Sequence, residues 1–447
     1  MNAEQWRLQD LRGDQTLTVD LLVVGGGAAG VAAAVTAARS GCRVVLVEKY
    51  GFCGGGAVAG LSGTLCGLYE AADGVHRPNQ LVHGFVDEFI AAMESRNGLT
   101  APIRYGKTYT RVHDPLVWRD VADGLLTDAG VQIIYHAMVV GVLRDGERTV
   151  GAQVYTKQGP LRIMAAVTLD ASGDADVVAM AGLPNFIGDN GHVQNPTMIF
   201  KLSGVDVKRF RQAYGEDTIM PPEVSGMIGE AQRLGYRLPR AKIWLFPTPR
   251  PGELLCNCTR VTGADGRELN PLLHADFTEA EIEGRKQLRE YARFFRDYLQ
   301  GCENSWVNDS APQVGVRQTR QIRGRELLTN AAILEGRKSF EGIARSPWPI
   351  ELHAGERPKV AWLLNDFYEV PLGCFIPLEG EGLLAAGRCL SAEHEAVASA
   401  RVTAQCFSYG HALGHAAVLM AREGVAAARL SGRDIRELLN RDGARLD

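Results

Sequence analysis

Cysteine is sparse in this chain: nine residues in 447, at irregular spacing. That is too few for a disulfide scaffold and ordinary for a reduced compartment. Cys256 and Cys258 are the one close pair, and no second pair completes a four-ligand zinc site. Cysteine clusters for iron–sulfur centres are likewise missing. So is a long uninterrupted apolar run. The longest, Val19 to Ala38, is broken by Asp20 and three consecutive glycines, and it reads as strand, turn and helix rather than a membrane span. Residues 1–15 lack a basic stretch followed by an apolar one, so no secretory leader is expected and a soluble, cytoplasmic protein is. A formal net charge of −4 argues against a broad basic surface, and hence against a nucleic-acid partner. Internal repeats and low-complexity tracts are absent too.

What is present is an ordinary globular balance, 46% hydrophobic and 22% charged, with an unusual amount of glycine, 51 residues. The first glycines fall in an informative place. Leu21 to Val24 is a short apolar run with the look of a buried parallel strand. Gly25-x-Gly27-x-x-Gly30 follows, then an Ala-rich helical stretch from Val31 to Arg39. Arg43 to Val47 is a second buried strand, closed by Glu48. This is a βαβ unit with a dinucleotide-binding turn. Gly25 permits the tight turn, Gly27 leaves room for a pyrophosphate, and Gly30 lets helix and strand approach. The helix N-terminus offers free N–H groups to phosphate, and Glu48 can accept from ribose hydroxyls.

Further along, the patterning predicts helices over 80–95 and 115–128, a strand over 131–134, a hairpin from 139 to 155 containing Val139, and a strand over 162–169. That strand runs into Ala171-Ser172-Gly173-Asp174. After Leu183 alternating segments such as Thr197 to Leu202 and Lys242 to Phe246 suggest an antiparallel sheet. A long charged helix over 278–299 and an Ala-rich helix over 396–422 follow.

A second glycine cluster, Cys53-Gly54-Gly55-Gly56, comes just after Glu48-Lys49. Together with Leu384-Ala385-Ala386-Gly387-Arg388 it resembles the FAD-binding regions of the fumarate reductase and glutathione reductase-like flavoproteins. The likeness is closer to the FAD-dependent oxidoreductases of the FAD_oxidored type. It is carried by Glu48 to Gly60, Asp170 to Gly182, Pro312 to Gly324, Phe375 to Gly414 and the Ala280 to Arg285 stretch. The resemblance implies an α/β fold: a Rossmann-like FAD-binding domain, three-layered with a parallel sheet, and an inserted mixed α+β substrate domain. The expected division is 1–185, 186–365 and 366–447, the first and last being parts of the FAD domain. Cofactor contacts are then expected from Gly25, Gly27, Ala28, Ala29, Gly30, Glu48, Lys49, Cys53, Gly54, Gly55, Gly56, Val139, Ala171, Ser172, Gly173, Asp174, Gly387, Arg388 and Val402. Relatives that tether FAD use a His where this chain has Gly56, so non-covalent FAD is expected, with Cys53 the one alternative attachment point. Flavin hydroxylases carry an acidic residue where Arg388 stands, which counts against that class.

No second glycine triplet follows a strand, so an NAD(P)H domain is not expected and electrons should come from a small-molecule substrate. In the resemblance Arg401 matches a substrate-carboxylate Arg, and His394 falls where the flavin ring should be, a candidate base. Arg317 and Arg320, three apart, could grip a carboxylate or pair with the acid-rich helix at 279–290. His411 and His415 sit one turn apart and are read as helix packing, not metal ligands. The expectation is a dehydrogenase or oxidase that passes electrons onward to oxygen, a quinone or another diffusible acceptor, and it leaves a homo-oligomer open. The alternatives are an electron-transfer subunit of a larger complex and an NAD(P)H-driven flavin reductase.

Overall fold

The computed structural model describes residues 15–74, 77–353 and 358–447. Residues 1–14, where no leader is expected, lie outside the described residues. Gln15–Val24 is the central strand. Leu21 and Val23 enter one hydrophobic core, while Leu22 and Val24 enter another on the opposite face. Successive strand side chains point to opposite faces, so a strand covered on both sides must be apolar throughout. This strand pairs in parallel with Val44–Val47 and with Gly159–Asp170. Gln132–Ile134 adds to one side and Leu383–Ala385 to the other. The expected hairpin, Met138–Asp145 with Arg148–Thr156, extends the same sheet in antiparallel fashion.

Helix Ala28–Arg39 lies against helix Thr403–Glu423, and glycines set how close they come. A Cβ on Gly410 would fall 2.1 Å from the Ala29 carbonyl oxygen. The second core surrounds a four-stranded antiparallel sheet in the order Trp244–Pro247, Leu254–Asn257, Phe200–Ser203, Trp306–Ser310. Helix His274–Tyr298 buries Leu288, Tyr291, Phe294 and Phe295 against it and leaves its charged side to solvent. None of the described helices is long and apolar enough to cross a membrane.

One expectation needs correction. The Ala-rich stretch over 396–422 is two helices, His394–Ala400 and Thr403–Glu423, interrupted at Arg401 and Val402. No proline or glycine marks the break. Tertiary partners stabilise it: the Ala404 N–H donates to the Cys66 carbonyl at 3.1 Å, and the Thr403 hydroxyl to the Thr64 carbonyl at 3.1 Å. Backbone groups that a continuous helix would satisfy internally are satisfied across the chain instead.

Candidate functional site

The parallel strands end together. Val24 registers with Val47 and Asp170, and Asp170 with Ala385. The residues that follow, Gly25, Glu48, Ala171 and Ala386, all line one cavity. Open α/β sheets bind ligands in this place, outside the carboxyl ends of their strands. The cavity opens to solvent, and its lining runs from the glycine turn to Tyr105, Glu351 and His353.

The glycine turn is built as a cradle. Gly25 has φ +103°, and a Cβ there would meet the Ala171 carbonyl oxygen at 2.4 Å. A Cβ on Gly30 would lie 1.9 Å from the Gly25 carbonyl oxygen, so Gly30 secures helix against strand. Gly27 differs: its Cβ would find no protein atom nearer than 3.9 Å, and one on Gly56 none within 4 Å. Both line the cavity, so what their missing side chains leave clear is space for a ligand. Gly27 caps the helix without a side-chain hydrogen bond, leaving that N-terminus to a phosphate. The Glu48 carboxylate accepts from the Gly26 N–H at 2.7 Å and the Tyr50 N–H at 2.9 Å, and burial raises its pKa. Unused lone pairs on its oxygens remain for hydroxyl groups. These residues fit a bound dinucleotide.

Arg388 also lines the cavity. It donates to the Gly173 and Val316 carbonyls, each at 2.9 Å, and to Asp174 at 2.6 Å, so it ties two wall segments together. Its charge draws the Asp174 pKa down against burial.

A different wall comes from the antiparallel sheet and strand Ile350–Leu352. Arg317, Arg401, Glu351, His353 and Tyr105 line it, with Arg240 directly behind His353. The Tyr105 hydroxyl donates to both Glu351 oxygens, at 2.8 and 2.9 Å. Arg317 donates to the Asn195 carbonyl at 2.9 Å, and Arg401 to Gln194 at 3.1 Å. Among the described residues no carboxylate lies within ion-pair distance of Arg240, Arg317 or Arg401. Burial accordingly pulls the Arg401 pKa down to about 10 and that of Arg317 well below its ordinary value. Among the described residues the Arg401 and Arg240 Nε–H groups have no partner. A buried cationic wall with unused donors is suited to hold an anion.

The structure thus gathers most of the expected residues on this cavity: Gly25, Gly27, Ala28, Ala29, Glu48, Lys49, Gly54, Gly55, Gly56, Ala171, Ser172, Gly173, Asp174, Arg317, Gly387, Arg388, Arg401 and Val402. Five others stand apart. Gly30 works from behind, as described. Cys53 is wholly buried beneath Gly26, and burial raises its thiol to about 12, which leaves little thiolate for flavin attachment. Val139 pairs with Val154 in the hairpin and packs against the core beneath the sheet. Arg320 turns to the Asp174 carbonyl at 3.0 Å and to Asp176 at 2.9 Å; neither it nor Arg317 reaches the acid-rich helix. His394 does not line the cavity; the nearby charges are Asp189, Glu268, Glu395 and His192, and burial lowers its pKa.

Sequence reasoning missed Tyr105, Arg240, Glu351 and His353. They come from three distant segments, and only the Glu351-x-His353 spacing, which puts both side chains on one face of a strand, hints at a site. His411 and His415 both point to Asp442, at 3.1 and 2.8 Å, and hold the last helix, Gly432–Arg441.

The family model described as FAD dependent oxidoreductase matches residues 20–439. A urocanate reductase from Eggerthella lenta is 45% identical over 60 residues, covering 12% of this chain; the match spans about a tenth of that relative's length. A geranylgeranyl bacteriochlorophyll reductase-like structure from Thermoplasma acidophilum aligns with TM-score 0.51 at 14% identity, over 96% of this chain and 85% of its own. p-Nitrophenol 4-monooxygenase from Pseudomonas putida aligns with TM-score 0.50 at 12% identity, over 96% and 87%. At these identities the structural likeness speaks for the fold.

Proposed function

The chain belongs to the FAD-dependent oxidoreductases, and on that premise we propose that it dehydrogenates a small carboxylate-bearing substrate. FAD, when bound, supplies the hydride acceptor. The glycine turn, Glu48 and the segments after the parallel strands hold the dinucleotide. The substrate carboxylate sits against Arg317 and Arg401. Their burial removes competing water, so a charge-assisted contact is worth more than on the surface. Electrons leave to oxygen, a quinone or another diffusible acceptor.

One observation carries this reading: a single cavity runs from the dinucleotide cradle to a wall where the buried guanidiniums of Arg317 and Arg401 have no carboxylate within ion-pair distance among the described residues. The test is an anaerobic screen of small carboxylates against purified yellow protein, read as bleaching of the flavin absorbance. Reduction by a carboxylate in the absence of nicotinamide supports the proposal. Reduction by NADPH alone, with no response to any carboxylate, overturns it in favour of a nicotinamide-driven reductase.

A further inference from the structure

Resting on that reading, the charge and tautomer pattern of the inner wall narrows the substrate. Three guanidiniums, Arg240, Arg317 and Arg401, surround one carboxylate, Glu351. All three raise the potential felt by His353, and burial and these charges hold its ring neutral. The described groups therefore leave an excess of two positive charges. A substrate carboxylate would neutralise part of it. An ammonium group placed beside that carboxylate would meet repulsion from the positive charge that remains.

The polar groups also have fixed roles. A guanidinium can only donate, so the Arg240 contact makes His353 Nδ1 an acceptor. The neutral ring then carries its proton on Nε2, which lies 3.9 Å from Glu351 Oε1 with no described partner in hydrogen-bond reach. His353 is thereby a donor and not a base. Glu351 is the opposite case: it lines the cavity as an acceptor, oriented by the Tyr105 hydroxyl. A donor N–H and an acceptor carboxylate set side by side match a hydroxyl oxygen and its proton.

We infer that the substrate is a 2-hydroxy acid, that Glu351 takes its hydroxyl proton, and that His353 Nε2–H holds its oxygen. In the step the O–H bond breaks and its proton moves to a Glu351 oxygen. The O–H electron pair becomes the second carbon–oxygen bond as the C–H electron pair departs with hydride to the FAD, leaving a 2-oxo acid. Glu351 is the group that accepts the proton, and His353 orients the oxygen.

Two measurements test this. In the first, calorimetry with the holoenzyme compares 2-hydroxyisobutyrate and 2-aminoisobutyrate, isosteres that cannot be turned over for want of a hydrogen on the reacting carbon. The hydroxy compound is expected to bind at least about a hundredfold more tightly. Equal affinity, or tighter binding of the amine, overturns the inference. In the second, glycolate, lactate and malate are set against glycine, alanine, aspartate and succinate in anaerobic flavin reduction. A hydroxy acid should bleach the flavin, and Glu351→Gln should slow that bleaching by about 10²-fold or more while leaving FAD content in place. Bleaching by an amino acid or succinate alone sinks the substrate class but leaves the broader carboxylate reading standing. No bleaching by any of the seven refutes the inference. Unchanged bleaching in Glu351→Gln removes the residue from the proton transfer.

Discussion

Replacing Gly27 and Gly30 by alanine should separate ligand space from folding space within one turn. Gly27 has φ −69° and ψ 179°, which alanine adopts freely. Its new Cβ would stand 3.9 Å from the nearest protein atom. The weaker helix cap costs roughly 0.5–1 kcal/mol, and the stiffer unfolded chain offsets ~0.4–1 kcal/mol of it, so apoprotein stability should move by less than about 1 kcal/mol. The methyl would instead project into the cavity where a pyrophosphate approaches. Overfilling a close contact costs roughly 1–3 kcal/mol, which raises the Kd for FAD by about five- to 150-fold. Gly30→Ala should behave in reverse. Its Cβ would lie 1.9 Å from a backbone oxygen that no side-chain rotation can clear. Overpacking of about 3 kcal/mol, less the ~0.5–1 kcal/mol that alanine gains in a helix interior, leaves the apoprotein about 2 kcal/mol less stable. Urea unfolding of the apoproteins and fluorescence titration with FAD read the two quantities separately. A Gly27→Ala protein that binds FAD as tightly as the parent would refute the assignment of that space to the cofactor. A Gly30→Ala protein as stable as the parent would refute the packing argument.

Arg401→Ala should retain FAD yet raise KM for a carboxylate substrate by about ten- to a hundredfold, the value of a charge-assisted contact, as read by steady-state kinetics. His394→Ala should reduce its flavin anaerobically within about twofold of the parent rate, because the ring lies off the cavity; a loss of the 10²-fold scale expected of a missing base would restore it to the mechanism. Hydrogen bonds from His411 and His415 lower the Asp442 pKa from 3.8 to about 2. A depressed carboxylate stabilises the fold above its unfolded pKa and loses that contribution as pH falls through the folded one. Asp442→Asn should therefore melt below the parent at neutral pH, the gap closing as pH drops from about 4 towards 2; a gap that stays constant over that range would count against the latch.

What could be seen in the sequence and what could not divide along one physical line. The glycine turn, both flanking strands and Glu48 were legible because their requirements are local: a turn, a close approach and a strand end lie within a couple of dozen residues. Loops after Asp170 and Leu384 were placed through resemblance, and register explains why they meet, since Ala385 and Val24 both align with Asp170. Sequence spacing failed where a side chain's direction mattered. Arg320 and Arg317 are close in sequence, yet strand Arg320–Ile322 turns one towards Asp176 while the preceding loop leaves the other on the cavity. The break at Arg401 and Val402 had no local signal at all, because its backbone partners, Thr64 and Cys66, lie hundreds of residues earlier. That break puts Arg401 on the cavity wall; an unbroken helix would have satisfied its own backbone and given no reason for the chain to turn there. The same holds for Arg240 and His353, which meet across 113 residues: neither side chain carries a mark of its role until the other is beside it. Chemistry that depends on a tautomer fixed by a distant guanidinium is therefore a property of the folded wall, and the reading of His353 as donor stands or falls with that contact.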